Sequence, residues 1–407
     1  MLHNTYTRRD RCCRGPAAGY IGLAMATAAA PAPPRDYRAE FPIFRHSIYL
    51  NSCSLGALSR RSRAKVDEFL DLWESRGAAA WYDVWWAALA ELRSRYGRLI
   101  GAAEGAVALH PSISSALTAV AESLDYRRRP KVVVTALDFP TVAYQWLAKA
   151  SEGVELVVVE SPDGIGVPVE AIARAVDDRT ALVATSHVFF TSGAIQDVGA
   201  LAELVHRRGA LLLIDGYQAA GQLPVDVLSL DVDFYCGGGL KWLLGGTGVA
   251  FLYARAELLP TLAPRSAGWF SHREQFSFDP RGLELHADAR RLETGTPALL
   301  PVYAQLGGLE LIEEIGPVEI RRLTMALAED LIDQARAVGL QPKVAASPAE
   351  RSAIVMLPSS DQTGDVRRLA EARIVTDVRP GHVRISPYFY NVRDDHRAAI
   401  ERLTHDQ

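Results

Sequence analysis

Apolar residues in this chain follow two distinct periods. Between residues 61 and 100, Val66, Phe69, Leu70 and Trp73, and then Trp81, Val84, Trp85, Leu89 and Leu92, recur at helical spacing. Gly77 interrupts the series, so the pattern predicts two helices. Downstream come short unbroken apolar runs: KVVVTAL (131–137), VELVVVE (154–160), TALVATSHV (180–188), ALLLID (210–215), VDFYC (232–236) and GVAFLYA (248–254). Runs that do not alternate, separated by helix-length segments such as 198–208, point to strands buried on both faces of a mainly parallel sheet. The expected fold class is α/β. Beyond Pro301 the pattern changes to one long amphipathic helix, 302–339, and then to the strand candidates SAIVMLP (352–358) and HVRISPY (382–388). The expected organisation is a large α/β domain with its N-terminal segment over 37–300, and a smaller α+β C-terminal domain over 301–407 completed by the segment before Ser59.

With 407 residues, 49% hydrophobic and 23% charged, the chain can bury a large core. Its net charge of -4 supplies no positive field for nucleic acid or an anionic membrane surface. The arginine runs at 60–63 and 127–129 are short enough to be solvated faces. None of the apolar runs approaches the roughly 20 residues of a membrane span. Cys12, Cys13, Cys53 and Cys236 have no metal-ligand spacing, so no metal site is expected, and a reducing, cytoplasmic compartment is the simpler inference. Residues 1–36 start arginine-rich and end rich in Ala and Pro, like a signal peptide. Small residues dominate the middle, so the expectation is a disordered segment, or a mis-assigned start upstream of Met25.

Sites in parallel α/β sheets lie at the carboxyl ends of strands, and several chemically distinctive groups fall there. Asp215 closes ALLLID and Gln218 follows it; Lys241 follows VDFYC across three glycines. HPSISSALTAV (110–120) opens an apolar helix with small hydroxyl residues, which offers free backbone N–H groups to a phosphate. Phe139 lies at a further strand end. Alone, each has a bland reading: a loop lysine, a helix cap, a core aromatic. Together they are what pyridoxal phosphate (PLP) requires: an amine to bond, a carboxylate to keep the pyridine nitrogen protonated, donors for the phosphate and a flat partner for the ring. Glycines at 237–239 are expected to let the backbone turn tightly and approach the cofactor, with Trp242 to Leu244 anchoring the lysine.

LLLIDGYQAAGQLPVDV (211–227), VDFYCGGGLKWLLGGTGVAFLY (232–253) and RRLETGTPALLPVYA (290–304) resemble the class V aminotransferase family of fold-type I PLP enzymes, over about residues 49–390. The resemblance implies that Lys241 forms the Schiff base, Asp215 pairs with the pyridine nitrogen and Gln218 bonds the ring 3-oxygen. It implies that Phe139 stacks on the ring and that Ser112, Ile113 and Ser114 hold the phosphate. It also implies a homodimer in which Thr296, in TGTP, and Trp269, in GWFSHREQFSFDP (268–280), reach the neighbouring subunit's cofactor. VRPGHVRISPYFYN (378–391) is similar to the segment that holds the substrate carboxylate in kynureninase-like members, which implicates Arg384; Asn51 and Ser54 match the N-terminal loop that lines the pocket.

The reaction is narrowed by what is missing. No cysteine follows Cys236, which disfavours a persulfide-forming cysteine desulfurase. Relative to kynureninase, Val142, Phe189 and Leu240 replace polar residues, so hydrolysis of a side-chain ketone loses its donors and a more apolar pocket is expected. The favoured expectation is a PLP-dependent β-lyase cleaving C–S or C–C in an amino acid or its conjugate. A class V aminotransferase, an isopenicillin N epimerase-like racemase and a catalytically silent binding module are the alternatives.

Overall fold

The computed structural model describes residues 37–404, so the expectation for residues 1–36, with Cys12 and Cys13, lies outside the described residues. After the short strand β1 (Ile48–Tyr49), the helical period resolves into α1 (Arg60–Arg76) and α2 (Trp86–Leu99). Ser59 starts α1 by accepting a 2.9 Å hydrogen bond from Ser62 N, and Gly77, at φ 52°, stops it.

The unbroken runs become β3 (Lys131–Thr135), β4 (Glu155–Val159), β5 (Thr180–Ser186), β6 (Leu211–Asp215), β7 (Phe234–Gly238) and β8 (Ala250–Ala254); β2 (Val107–His110) precedes them. They form one sheet in the order β2-β8-β7-β6-β5-β3-β4. Among its seven strands β8 alone runs opposite to the others. Successive residues enter opposite layers: Val133, Val183, Leu212 and Ile214 belong to one core, and Val132, Val134, Leu182 and Leu213 to the other. All eight are fully buried, each stabilising by about 1.5–3 kcal/mol, which explains why the sequence reads as unbroken apolar runs. The crossovers carry α3 (Ile113–Ala121), α4 (Pro140–Leu147), α5 (Val169–Ala175) and α6 (Val198–Arg207).

The single helix expected over 302–339 is two, α7 (Leu299–Ile315) and α8 (Pro317–Ala337). Gly316 adopts φ 85°, and Pro317 cannot continue the hydrogen-bond ladder, so the apolar period runs on while the backbone breaks. The chain ends with β9 (Val355–Pro358), α9 (Gln362–Glu371), β10 (Ile374–Val375), β11 (Asp377–Arg379), β12 (His382–Ile385) and α10 (Arg393–Thr404). Strands β11, β12 and β9 make a small antiparallel sheet, and β1 pairs in parallel with β10. Leu50 from the N-terminal segment, Trp242 and Leu244 beside Lys241, and Val355, Val383 and Ile385 of the small sheet share one apolar cluster. The lysine turn therefore sits where this core meets the edge of the large sheet. No described helix is long and apolar enough to cross a membrane.

Candidate active site

The carboxyl ends of β2, β3, β5, β6 and β7 converge on a cavity of about 350 Å3, closed on its far side by the N-terminal loop and the small sheet. Lys241, partly exposed where it borders the cavity, holds its amine 4.3 Å from the centre of the Tyr217 ring. Burial pulls this amine down to about 8, against the opposing pull of Asp215. Asp215, buried at the end of β6, accepts 2.9 Å from Tyr217 N through Oδ1. Burial pushes its carboxyl up to about 6. At neutral pH it is a desolvated carboxylate that a cationic ring nitrogen would stabilise.

Gln218 is held at both ends of its amide: Nε2 donates to Cys53 O at 2.9 Å, and Oε1 accepts from Trp242 Nε1 at 2.8 Å. The second N–H of Nε2 is left to face the cavity, which Gln218 borders. Trp242 is fully buried against Tyr388, whose hydroxyl bonds Trp242 O at 2.9 Å, so the turn behind Lys241 is fixed from the core side. Gly237 and Gly238 close β7 and Gly239 opens the turn to Lys241, and all three are held to glycine by packing. A Cβ would meet Phe251 of β8 at 2.6 Å from Gly237, Val249 O, just before β8, at 2.8 Å from Gly238, and Gln305 Oε1 of α7 at 2.3 Å from Gly239. None of the three has positive φ. The close approach near the lysine comes from Gly56, whose N–H donates 2.8 Å to Leu240 O and whose Cβ would lie 2.1 Å from Lys241 O.

Two helix starts meet at one end of the cavity. Ser112 caps α3 by accepting from Ser115 N at 3.1 Å, leaving the Ile113 and Ser114 amides without an intrahelical acceptor. Ser114 Oγ lies 2.7 Å from Thr141 Oγ1 at the start of α4. Phe139, N-cap of α4 and 46% exposed, offers a ring to the cavity. Asp138 fixes it in place, accepting from Thr135 N at 2.8 Å, Ser186 N at 2.6 Å and Thr185 Oγ1 at 3.0 Å, and so ties β3 to β5.

At the opposite end, Arg384 is 1% exposed and donates to Asp377 Oδ2 at 2.5 Å, Ser54 Oγ at 2.5 Å and Phe190 O at 3.2 Å. Arg379, on the neighbouring strand, reaches the same Asp377 oxygen at 3.1 Å. Both guanidiniums border the cavity, and each keeps a buried Nε–H without an acceptor.

The sequence profile described as Aminotransferase class-V matches residues 64–395. This chain belongs to the class-V aminotransferase family. It is 34% identical over 373 residues to the uncharacterized aminotransferase YcbU of Bacillus subtilis (strain 168), covering 91% of this chain and 97% of that one. It is 31% identical over 308 residues to a kynureninase of Pseudomonas fluorescens, covering 73% and 72%. A solved structure of a C-DES variant with glycine covalently linked to its PLP cofactor shares the fold, with a TM-score of 0.84 at 21% identity over 90% of this chain and 99% of that one. The cofactor of this class-V enzyme is PLP. The cavity suits it: hydroxyls and two amides without intrahelical acceptors at one end, a ring surface at Phe139, and a buried carboxylate at Asp215 with no ion-pair contact among the described residues.

Of the residues implicated by the class-V resemblance, the fold brings Lys241, Asp215, Gln218, Phe139, Ser112, Ile113, Ser114, Ser54 and Arg384 to this one cavity. Asn51 lies behind its wall, with Nδ2 3.5 Å from Thr376 O. Thr296 lies on a separate cleft with Leu109 and His110. Trp269 is 40% exposed in a cluster with Trp86, Phe276 and Phe278. Of the apolar departures, Leu240 borders the cavity, whereas Phe189 points away and its neighbours Val188 and Phe190 line the wall. Val142 is fully buried. Sequence reasoning missed Tyr217, Cys53, Thr141, Arg379 and Asp377. For the last two the signal was present: a Pro380-Gly381 turn sets Asp377 directly opposite Arg384.

Proposed function

We propose that this class-V enzyme is a β-lyase that cleaves a C–S or C–C bond at Cβ of an amino acid, with PLP carried on Lys241. The observation that carries this reading is the shared cavity: an amine lowered to about 8 stands beside Asp215 at one end, and two guanidiniums stand at the other. PLP supplies the electron sink that stabilises negative charge at Cα. Asp215 would pair with the pyridine nitrogen, Gln218 would offer its remaining N–H to the ring oxygen, and Phe139 would cover the ring face. Ser112, Ser114 and the Ile113 amide would hold the phosphate. Arg384, with Ser54, orients the substrate carboxylate, and Asn51 supports that loop. The Lys241 amine would serve as the general base at Cα. Ile113, Val188, Phe190 and Leu240 give an apolar wall without a base to activate water on a side-chain ketone, which favours elimination over kynurenine hydrolysis.

The partner subunit is expected to complete the site with Trp269 and Thr296 in a homodimer. Support comes from the exposed aromatic cluster Trp269, Phe276 and Phe278, a surface of the kind that marks association. Cys53 and Cys236, both free and buried, suit a reducing cytoplasm. The deciding experiment is a panel of S-substituted cysteines, kynurenine and common amino acids. Thiol, pyruvate and ammonia released together from an S-substituted cysteine is the expected result. Amino transfer to a keto acid, or inversion at Cα without release, would replace the lyase reading with the aminotransferase or the racemase.

A further inference from the structure

We infer that Asp377 is the specificity-determining residue of the substrate end: it is a built-in counter-ion that restricts the arginine pair to a substrate carrying one carboxylate. The inference rests on the reading of Arg384 as the carboxylate ligand. Asp377 stands opposite Arg384 in the β11–β12 register, and Arg379 follows two positions later on the same face of β11. One oxygen, Oδ2, accepts from Ser54 at 2.7 Å, Arg384 at 2.5 Å and Arg379 at 3.1 Å; the other accepts from Val378 N at 2.7 Å. Asp377 itself does not border the cavity, while Ser54, Arg379 and Arg384 all do. It therefore acts through the arginines as a positioning residue, pulling both against one point behind the wall.

The charge count at this end follows. Two guanidiniums and one carboxylate leave a single positive charge facing inward, and the other charged lining residues, Asp215 and Lys241, belong to the cofactor end. One substrate carboxylate neutralises that charge. A second carboxylate on the substrate would meet arginines already committed to Asp377, and the apolar wall of Val188 and Phe190 offers it no donor side chain. The substrate class is thus an amino acid with an uncharged, apolar-tolerant side chain, as opposed to an aspartate- or glutamate-like one.

The test is calorimetric binding of propionate and of succinate to the holoenzyme, a readout independent of turnover. The parent should prefer propionate. Asp377→Asn should move the preference about tenfold toward succinate, Asp377→Ser should move it the same way because charge and not shape is removed, and Asp377→Glu should return it to the parent ratio. A ratio unchanged in both neutral variants, with Arg384→Ala losing propionate binding, overturns this inference alone. Propionate binding unaffected in Arg384→Ala overturns the carboxylate reading beneath it.

Discussion

The two ends of the cavity are made by different means. At the end proposed to hold the cofactor, Asp215 closes β6 and Lys241 follows β7, and their acidities are moved mainly by burial. At the end proposed to take the substrate carboxylate, Arg379, Arg384 and Asp377 stand on a small three-stranded sheet and are set by pairing: although burial pushes the Asp377 carboxyl up, the Ser54 hydrogen bond and the two arginines hold it below its usual value. Desolvation prepares groups for covalent and proton chemistry, while paired charges recognise and discriminate.

Substitutions should separate the two ends in graded fashion. Lys241→Ala should abolish borohydride-fixable cofactor absorbance and reduce turnover by about a thousandfold or more. Trp242→Ala should destabilise the fold by about 3–5 kcal/mol in denaturant titration, because it empties a fully buried site and unties Gln218. A third contrast is with pH. Lys241 is lowered from 10.5 to about 8, so the folded apoprotein favours the neutral amine; that stabilisation is full above pH 10.5 and is lost as pH falls through about 8. Cofactor attachment to the apoprotein should therefore slow about tenfold per pH unit below 8, and Asp215→Asn, by removing the charge that holds the proton on, should move the midpoint lower. The smallest effect is expected from Ser54→Ala, which should raise KM a few fold with little change in kcat, as befits one hydrogen bond at the binding end.

Much of the cofactor end was legible in the sequence because a buried parallel strand announces itself as an unbroken apolar run, and the residue closing it points at the site. Asp215 reads that way, whereas the hydroxyls at 112 and 114 read from their place at the start of an apolar helix. The substrate end was less legible because its strands are short. β11 spans only Asp377–Arg379, too few residues to show a period, and Asp377 becomes meaningful only when counted across the Pro-Gly turn to Arg384. The α7–α8 break was missed because the apolar period continues through Gly316-Pro317, even though that dipeptide states the break by itself. The glycines before Lys241 were rightly singled out, but their reason is contact with Phe251, Val249 and Gln305, which no local pattern reveals.

The pairing of the N-terminal segment with the chain's far end has a consequence for biosynthesis. Tyr49 O accepts from Asn391 Nδ2 across 342 positions, and β1 has no strand partner other than β10 among the described residues. At about 5–20 residues per second, roughly 20–70 seconds separate the emergence of β1 from that of its partners. Through that interval Phe41, Tyr49 and Leu50, buried in the finished fold, lack the late-emerging members of their cluster, Val355, Val383, Ile385 and Tyr390. The wall that carries Ser54 is thus among the first parts of the cavity to be synthesised and among the last to be set in place.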